Sequence, residues 1–150
     1  MTAKELYDHD FVEWTRSNAA LLRAGRFDEI DFEHIAEEIE DMGASHEREL
    51  GSRLRVLLAH LLKLRMEPGS RATQVWMATV KVQRYEIRQL LRRAPSLQRG
   101  VEEEVAAVFG LAVSSAAAGT ELPETKFPET CPFSIDQILD DQFFPRRQAR

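Results

Sequence analysis

Two histidines and an arginine recur at intervals of seven in residues 44–63, ASHERELGSRLRVLLAHLLK. His46, Arg53 and His60 would lie on one side of a helix, because seven residues make about two helical turns. Such a row suggests either a ligand or metal site or the polar margin of a helix seam. On one helix, however, His46 and His60 lie about 21 Å apart at 1.5 Å per residue, so they cannot bind the same metal ion.

A site at His60 therefore needs partners from other helices. We expect Gln83 to be one partner, with Asn18 or Glu38 as further candidates. The predicted ligand-binding residues are His60, Gln83, Glu38, His46 and Arg53. The alternative stays open that these buried polar groups only satisfy one another by hydrogen bonds.

The histidine motifs do not predict a metal centre. Carboxylate-bridged dimetal bundles use Glu-x-x-His pairs, and none of the four histidines has a glutamate three residues before it. His34 is followed by glutamates at i+3 and i+4. The apolar stripe Ile35, Ile39 and Met42 would put most of the neighbouring acids on an outer face, so we expect a solvated acidic surface there. We predict no metal and no cofactor.

A basic stripe is predicted on the third helix. Lys81, Arg84, Arg88 and Arg92 fall on one face, roughly opposite the apolar residues. Such a stripe can neutralise phosphates and bind nucleic acid. Tyr85 is the only aromatic residue among them, so no stacking platform for bases is evident. We therefore favour ion pairs within the chain or across an oligomer interface and keep nucleic acid as an alternative.

Charge is distributed very unevenly along the chain. Residues 1–50 contain 5 basic and 14 acidic residues, net −9. Residues 51–100 contain 11 and 2, net +9, and residues 101–150 contain 4 and 9, net −5. Opposed blocks of this kind either pair with one another or offer a charged face to a partner.

The sequence lacks the common signatures of enzymes. It has no Gly-rich phosphate loop, no Gly-x-Ser-x-Gly elbow, no His-Glu-x-x-His and no Cys-x-x-Cys. Cys131 is the only thiol, and its neighbours Glu129 and Pro132 do not favour a thiolate. We therefore interpret Cys131 as structural and expect a protein that is not an enzyme.

The periodicity of apolar residues predicts an all-α fold. Steps of three and four, with Pro, Gly and capping residues between the runs, predict helices over about 8–24, 31–66, 70–94, 96–118 and 134–142. We expect one domain over residues 1–150, an antiparallel bundle of about four helices. The proline-rich tail and its short helix, capped by Ser134, would pack across the bundle, and the basic end RRQAR is expected to fray.

Composition suggests a cytoplasmic protein. No stretch approaches the ~20 apolar residues that span a bilayer, and the N-terminal residues MTAKELYDHD do not form a secretory signal. A single cysteine allows no internal disulfide. We expect no membrane partner.

Several segments, in order along the chain, resemble the bacterial domain-of-unknown-function family twenty-nine. They are YDHDFVEWTRSNAALLRAGRFDEIDFEHIAEEIEDMG, then RLRVLLAHLLK, then LPETKFPETCPFSIDQIL and FFP. The resemblance implies a single-domain, all-helical bacterial protein. It implies no catalytic residue, because the family has no established activity.

The sequence thus favours a small binding or interaction module with a protein partner or a second copy of the chain. Two alternatives stay open. One is a metal-binding, ligand-binding or enzymatic protein with a polar site around His60. The other is non-specific nucleic-acid binding through the basic stripe.

Overall fold

The computed structural model describes residues 1–145, and over that range the chain forms helices, turns and loops without β-strands. The α-helices are α1 (Ala3–His9), α2 (Phe11–Arg23), α3 (Phe32–Met66), α4 (Thr73–Arg93), α5 (Val101–Thr120) and α6 (Ile135–Leu139). This confirms the all-α prediction. The RRQAR end, residues 146–150, lies outside the described residues.

The chain forms two compact units, Met1–Ser45 and His46–Arg150. The first contains α1, α2 and the beginning of α3, and the second contains the rest of α3 with α4, α5 and α6. The single bundle expected for residues 1–150 stays a prediction.

The first predicted helix, 8–24, is in fact two helices that meet at Asp10. Asp10 has an extended backbone, which breaks the helical path. Its N–H donates to the carbonyl of Leu6 at 2.7 Å and so caps α1. Its carboxylate accepts from the N–H of Glu13 at 3.0 Å and so caps α2. One residue satisfies a free group at the end of each helix, which makes the break stable.

α2 ends close to the predicted position. Gly25 has a φ of +71°, the left-handed conformation that glycine adopts at least cost. Its N–H donates to the carbonyl of Leu22, and the N–H of Arg26 donates to that of Leu21. These bonds satisfy carbonyls that the end of the helix leaves free.

The 35-residue helix α3 begins directly after Asp31 and ends before Pro68 and Gly69. Asp31 caps it, because its carboxylate lies 3.4 Å from the N–H of His34 and its carbonyl accepts from Ile35 at 3.0 Å. The predicted range, 31–66, differs from the observed helix by one residue.

The second unit has a single apolar core to which α3, α4, α5 and the tail all contribute. Its buried side chains include Leu54, Leu57, Leu58, Leu61, Leu62, Trp76, Val80, Ile87, Val105, Phe109, Phe127, Phe133 and Ile138. The last three belong to the tail, so the prediction that the tail packs against the helices is confirmed. α3 and α5 approach closely at Gly119, where an added Cβ would lie 2.6 Å from Cε of Lys63.

Three boundaries in the second unit differ from the prediction by three residues or more. α4 begins at Thr73 rather than at residue 70. Pro95–Gly100 forms a 3-10 helix, so α5 starts at Val101 rather than at residue 96. Three glutamates fill the first turn of α5, where the positive end of the helix dipole favours them. The short α6 ends at Leu139, and Ser134 caps it as predicted, through the N–H of Gln137.

Candidate functional site

Asp31 is the centre of a buried polar network in the first unit. Only 6% of this residue is exposed. Its Oδ2 accepts from the indole N–H of Trp14 at 3.0 Å and lies 2.6 Å from Nδ1 of His34. Its backbone N–H donates to Oδ1 of Asn18 at 2.9 Å. The bonds therefore join α2 to the first turn of α3.

Helical spacing explains why these side chains meet. Trp14 and Asn18 are one turn apart on α2, and Nδ2 of Asn18 donates to the carbonyl of Trp14 at 2.9 Å. Asp31 is the N-cap of α3 and His34 is its third residue, so the imidazole folds back onto the capping carboxylate. Trp14 is buried, so its indole N–H bonds to Asp31 away from solvent.

The network keeps Asp31 ionised. Burial alone would raise the pKa of this carboxyl, but the hydrogen bonds from His34 and Trp14 outweigh burial, and the pKa is lowered. An ionised carboxylate only accepts hydrogen bonds, so Nδ1 of His34 bears the proton. The other nitrogen of the neutral ring, Nε2, is then a hydrogen-bond acceptor, and 19% of this side chain is exposed.

Tyr7 of α1 covers one face of the imidazole. The two rings are stacked, with centroids 3.7 Å apart and planes inclined by 11°. The hydroxyl of Tyr7 donates to Oε1 of Glu38 at 2.5 Å. This bond to a carboxylate raises the pKa of Tyr7 to about 12. Tyr7 also makes an edge contact with Trp14, at 5.0 Å between centroids.

The Asp31–His34 pair has the orientation that prepares an imidazole to take up a proton or to bind a metal. Within residues 1–145, however, no group of three or more His, Cys, Asp or Glu side chains could hold a metal ion. What the contacts do achieve is to fasten α1 and α2 to the start of α3. This network was not predicted from the sequence, although Asp31 at a helix start with His34 three residues later was a usable signal.

The apolar stripe at the beginning of α3 is not buried as predicted. Ile35 is half-buried, but Ile39 and Met42 are each 63% exposed, and so is the neighbouring Phe32, at 61%. The side of α3 that contacts α1 and α2 is instead the polar one, through Asp31 and His34. The stripe prediction was wrong because periodicity shows which residues share a face but not which face is covered.

A family model described as "Domain of unknown function DUF29" matches residues 6–144. The chain belongs to the DUF29 family. The match includes the whole Asp31 network and nearly all of both compact units, which confirms the resemblance seen in the sequence. No curated protein and no solved structure matches the chain. In the part of this DUF29 protein that the structure describes, no helix has both the length and the apolar character needed to cross a membrane.

In the second unit of the DUF29 chain, Arg53 and Gln83 come together. Arg53 donates to Oε1 of Glu49 at 3.0 Å, an i,i+4 ion pair on the same helix, and to Oε1 of Gln83 at 3.3 Å. A glutamate of α4, Glu86, lies 3.8 Å from the same guanidinium. These contacts join α3 to α4. They satisfy the polar groups with one another, the alternative left open above.

The other predicted ligand residues of this DUF29 protein do not gather around His60. Nδ1 of His60 lies 2.7 Å from the carbonyl of Val56, on its own helix, and burial lowers the pKa of the imidazole. Gln83 bonds to Arg53 instead. Asn18 and Glu38 belong to the first unit, where Asp31, Trp14 and Tyr7 are their partners.

His46 is the first residue of the second unit and is half-buried. It does not share the contacts of Arg53 or His60 described above. The three residues spaced at intervals of seven therefore do not form a cluster. Within residues 1–145, the residues predicted to form a polar site around His60 are therefore not brought together.

The predicted basic stripe of the DUF29 chain is interrupted at its centre. Arg84 is 1% exposed, so the prediction that it shares an open face with Lys81 and Arg92 was wrong. Arg88 pairs with Asp141, with 2.6 Å between Nη2 and Oδ1. Lys81 and Arg92 are exposed. The stripe consequently offers fewer free charges to a nucleic acid than its sequence suggests.

Cys131, interpreted from the sequence as structural, lies in the tail of the second unit. It is half-buried, and its Sγ lies 3.5 Å from the carbonyl of Phe133. Burial raises the pKa of the thiol. A smaller thiolate fraction makes Cys131 of this DUF29 protein a poor nucleophile at neutral pH.

Proposed function

We propose that this DUF29 protein is an interaction module that associates with a second copy of itself. The observation that carries the proposal is the large exposure of apolar side chains on two helices whose surrounding charges are opposite in sign. Each of these surfaces is built by one helix within one unit.

The first surface, the acidic face, is on the beginning of α3. It consists of Phe32, Ile39 and Met42 with Glu33 and Glu40 beside them, all exposed. Phe32 and Ile39 are seven residues apart and Ile39 and Met42 are three apart, which places all three on one side of the helix. Glu33 and Glu40, also seven apart, form a parallel acidic row.

The second surface, the basic face, is on α4. It consists of Val75, Val82 and Tyr85 with Lys81 and Arg93, all exposed. Val75 and Val82 are seven residues apart, and Tyr85 follows three residues later, the same spacing as in the acidic face. The two faces are therefore alike in their apolar pattern and opposite in charge.

A second copy is the partner that these faces fit best. Exposed apolar side chains at regular spacing mark interaction surfaces rather than isolated surface residues. The acidic face of one copy and the basic face of another would bury apolar side chains and bring opposite charges together. Apolar burial would supply most of the affinity, whereas charge complementarity would set the partner and the association rate.

Sedimentation velocity over a range of protein concentrations tests the proposal. We expect the wild-type chain to associate with a midpoint at or below about 100 μM. The affinity is modest because few exposed side chains contribute after the cost of association is met. The double variant Ile39→Ser/Met42→Ser should raise the concentration at the midpoint of association at least about tenfold. Full burial of one such apolar side chain supplies about 1.5–3 kcal/mol.

The matched control is Leu111→Ser on α5. Leu111 is 58% exposed and belongs to neither face. Its replacement removes a similar exposed side chain and should leave association unchanged. A wild-type chain that stays monomeric throughout the concentration range, or an equal response to both variants, contradicts self-association.

A further inference from the structure

Arg84 is a buried cation with unusual partners. Its Nε donates to the carbonyl of Ile138 at 2.8 Å, and its Nη2 donates to that of Gln137 at 3.1 Å. Cζ of Arg84 lies 5.2 Å from the ring centroid of Phe144. The guanidinium therefore caps the last carbonyls of α6 and fastens the tail to α4.

Those bonds leave one nitrogen of Arg84 unused. Among the described residues, Nη1 is buried and has no hydrogen-bond partner. No carboxylate of those residues lies within 4.0 Å of the side chain. A buried donor and a buried positive charge are both unfavourable unless something satisfies them. Backbone carbonyls do not neutralise the charge, and the carboxylates of Asp141 and Asp140 act on it only from beyond 4.0 Å.

Arg84 is also one of the residues that line a cavity of about 280 Å³ in the second unit. Two further arginines of α4 line it, one and two turns later: Arg88 and Arg92. Successive members of this row are about 6 Å apart along the helix axis, at 1.5 Å per residue. The remaining lining residues are Ile87, Leu91, Gln98 and Leu139.

The charges around the cavity select the ligand. Arg88 is neutralised by Asp141 at 2.6 Å. Arg92 and Arg84 form no ion pair within 4.0 Å among the described residues, although the carboxylates of Asp141 and Asp140 act on the charge of Arg84 from a longer distance. A phosphate monoester has a charge of about −1.5 to −2 at pH 7 and accepts bidentate bonds from guanidinium groups.

We propose that this cavity binds a small phosphate monoester. The phosphate would lie against Arg84, the exposed side chain of Arg92 would extend toward it from about 12 Å along the helix axis, and the organic group would lie against the aliphatic residues. The volume lies just below the roughly 300–1,000 Å³ of common ligand pockets, which favours a small compound. Gln98 can accept or donate one further hydrogen bond to the organic group. The proposal does not depend on self-association, because none of the lining residues belongs to the acidic or the basic face.

Isothermal titration calorimetry of the full chain at constant ionic strength tests the site with three probes: phenyl phosphate, inorganic phosphate and benzoate. Phenyl phosphate should bind saturably and more tightly than inorganic phosphate, because its ring adds an apolar contact with the half-buried Leu91 and Leu139. Benzoate has a similar ring but one negative charge, so it should bind more weakly than phenyl phosphate.

Arg92→Gln provides the test of position, because Arg92 is exposed and its loss should not disturb folding as the loss of Arg84 would. We expect this variant to weaken binding of phenyl phosphate about tenfold. Arg55→Gln is the matched control: Arg55 is an exposed arginine of the second unit outside the cavity, and its replacement should leave binding unchanged.

Three results would overturn the proposal. The first is the absence of saturable binding of phenyl phosphate to the wild-type chain. The second is an equal effect of Arg92→Gln and Arg55→Gln, which would indicate general attraction to positive charge. The third is benzoate binding as tightly as phenyl phosphate, which would reject the phosphate assignment.

Discussion

Asp31 and Arg84 are both buried charged side chains, and the structure satisfies them in different ways. Asp31 accepts from two side chains and caps a helix, so its charge is well stabilised. Arg84 has two carbonyl acceptors, while one nitrogen is unpaired among the described residues. Asp31 therefore stabilises the fold. Arg84 fastens the tail and also keeps one N–H group that a ligand could bind.

Replacing Asp31 with asparagine should isolate the contribution of its charge. Asparagine is as good an N-cap as aspartate, but it loses the charge-assisted bonds from His34 and Trp14. We expect Asp31→Asn to lower the free energy of unfolding by about 1–3 kcal/mol, measured by urea denaturation of the full chain. Asp28→Asn, at an exposed aspartate three residues earlier, should be nearly neutral.

The difference in the free energy of unfolding between the wild-type chain and Asp31→Asn should become smaller at low pH. The pKa of Asp31 is lowered in the fold, so the unfolded chain takes up this proton first as pH falls. The stability from the charge is present above the unfolded pKa of about 3.9 and is lost as pH falls through the folded pKa. If the difference between the two chains stays constant from pH 6 to about 3, Asp31 does not contribute through its charge.

The sequence located Asp31 as the start of a helix but not as the centre of a network. Capping follows from residue type and position along the chain, whereas the bonds to Trp14 and Asn18 depend on how two helices meet. The prediction that Arg84 is exposed was wrong for a related reason. Its place on α4 predicted an outer basic face, and only the packing of the tail onto α4 buries it.

The break between α1 and α2 depends on Asp10. Because its N–H caps one helix and its carboxylate caps the next, Asp10→Ala removes the bond to Glu13 while leaving the bond to Leu6. We expect a loss of about 1 kcal/mol in the free energy of unfolding. Asp8→Ala is the control, because Asp8 lies in the last turn of α1, where a negative charge is unfavourable. Equal losses in both variants would show that general charge, not capping, is responsible.

Helix positions were easier to predict than helix faces. The long α3 was predicted to within one residue, because apolar residues at steps of three and four continue from Ile35 to Leu64. The same periodicity predicted that Ile39 and Met42 are buried, and both are exposed. A periodic pattern is the same whether its apolar face packs against another helix of the chain or is exposed. The sequence alone therefore could not tell a buried face from an exposed one.

The charge blocks of the whole chain acquire a structural meaning when they are assigned to helices. The acidic residues 1–50 include the acidic face, and the basic residues 51–100 include the basic face. Ion pairs account for only part of the basic block: Arg53 pairs with Glu49, and Arg88 pairs with Asp141. Lys81 and Arg93 are exposed. Much of the charge of the chain is therefore displayed on its surface.

Charge reversal on each face gives a test that a general loss of stability cannot imitate. In the acidic-face variant, Glu33→Lys/Glu40→Lys, two copies would bring like charges together, and so would two copies of the basic-face variant, Lys81→Glu/Arg93→Glu. Each variant alone should therefore associate more weakly than the wild-type chain, by about tenfold in concentration. In an equimolar mixture every acidic residue again meets a basic one.

The mixture should consequently recover association, and all of these effects should shrink in high salt because exposed charges are screened. Sedimentation velocity of the two variants, separately and mixed, measures the recovery directly. A mixture that associates no better than its components would show that the two faces do not meet, even if the wild-type chain forms dimers. Recovery would identify both surfaces at once, since neither variant can restore the contact by itself.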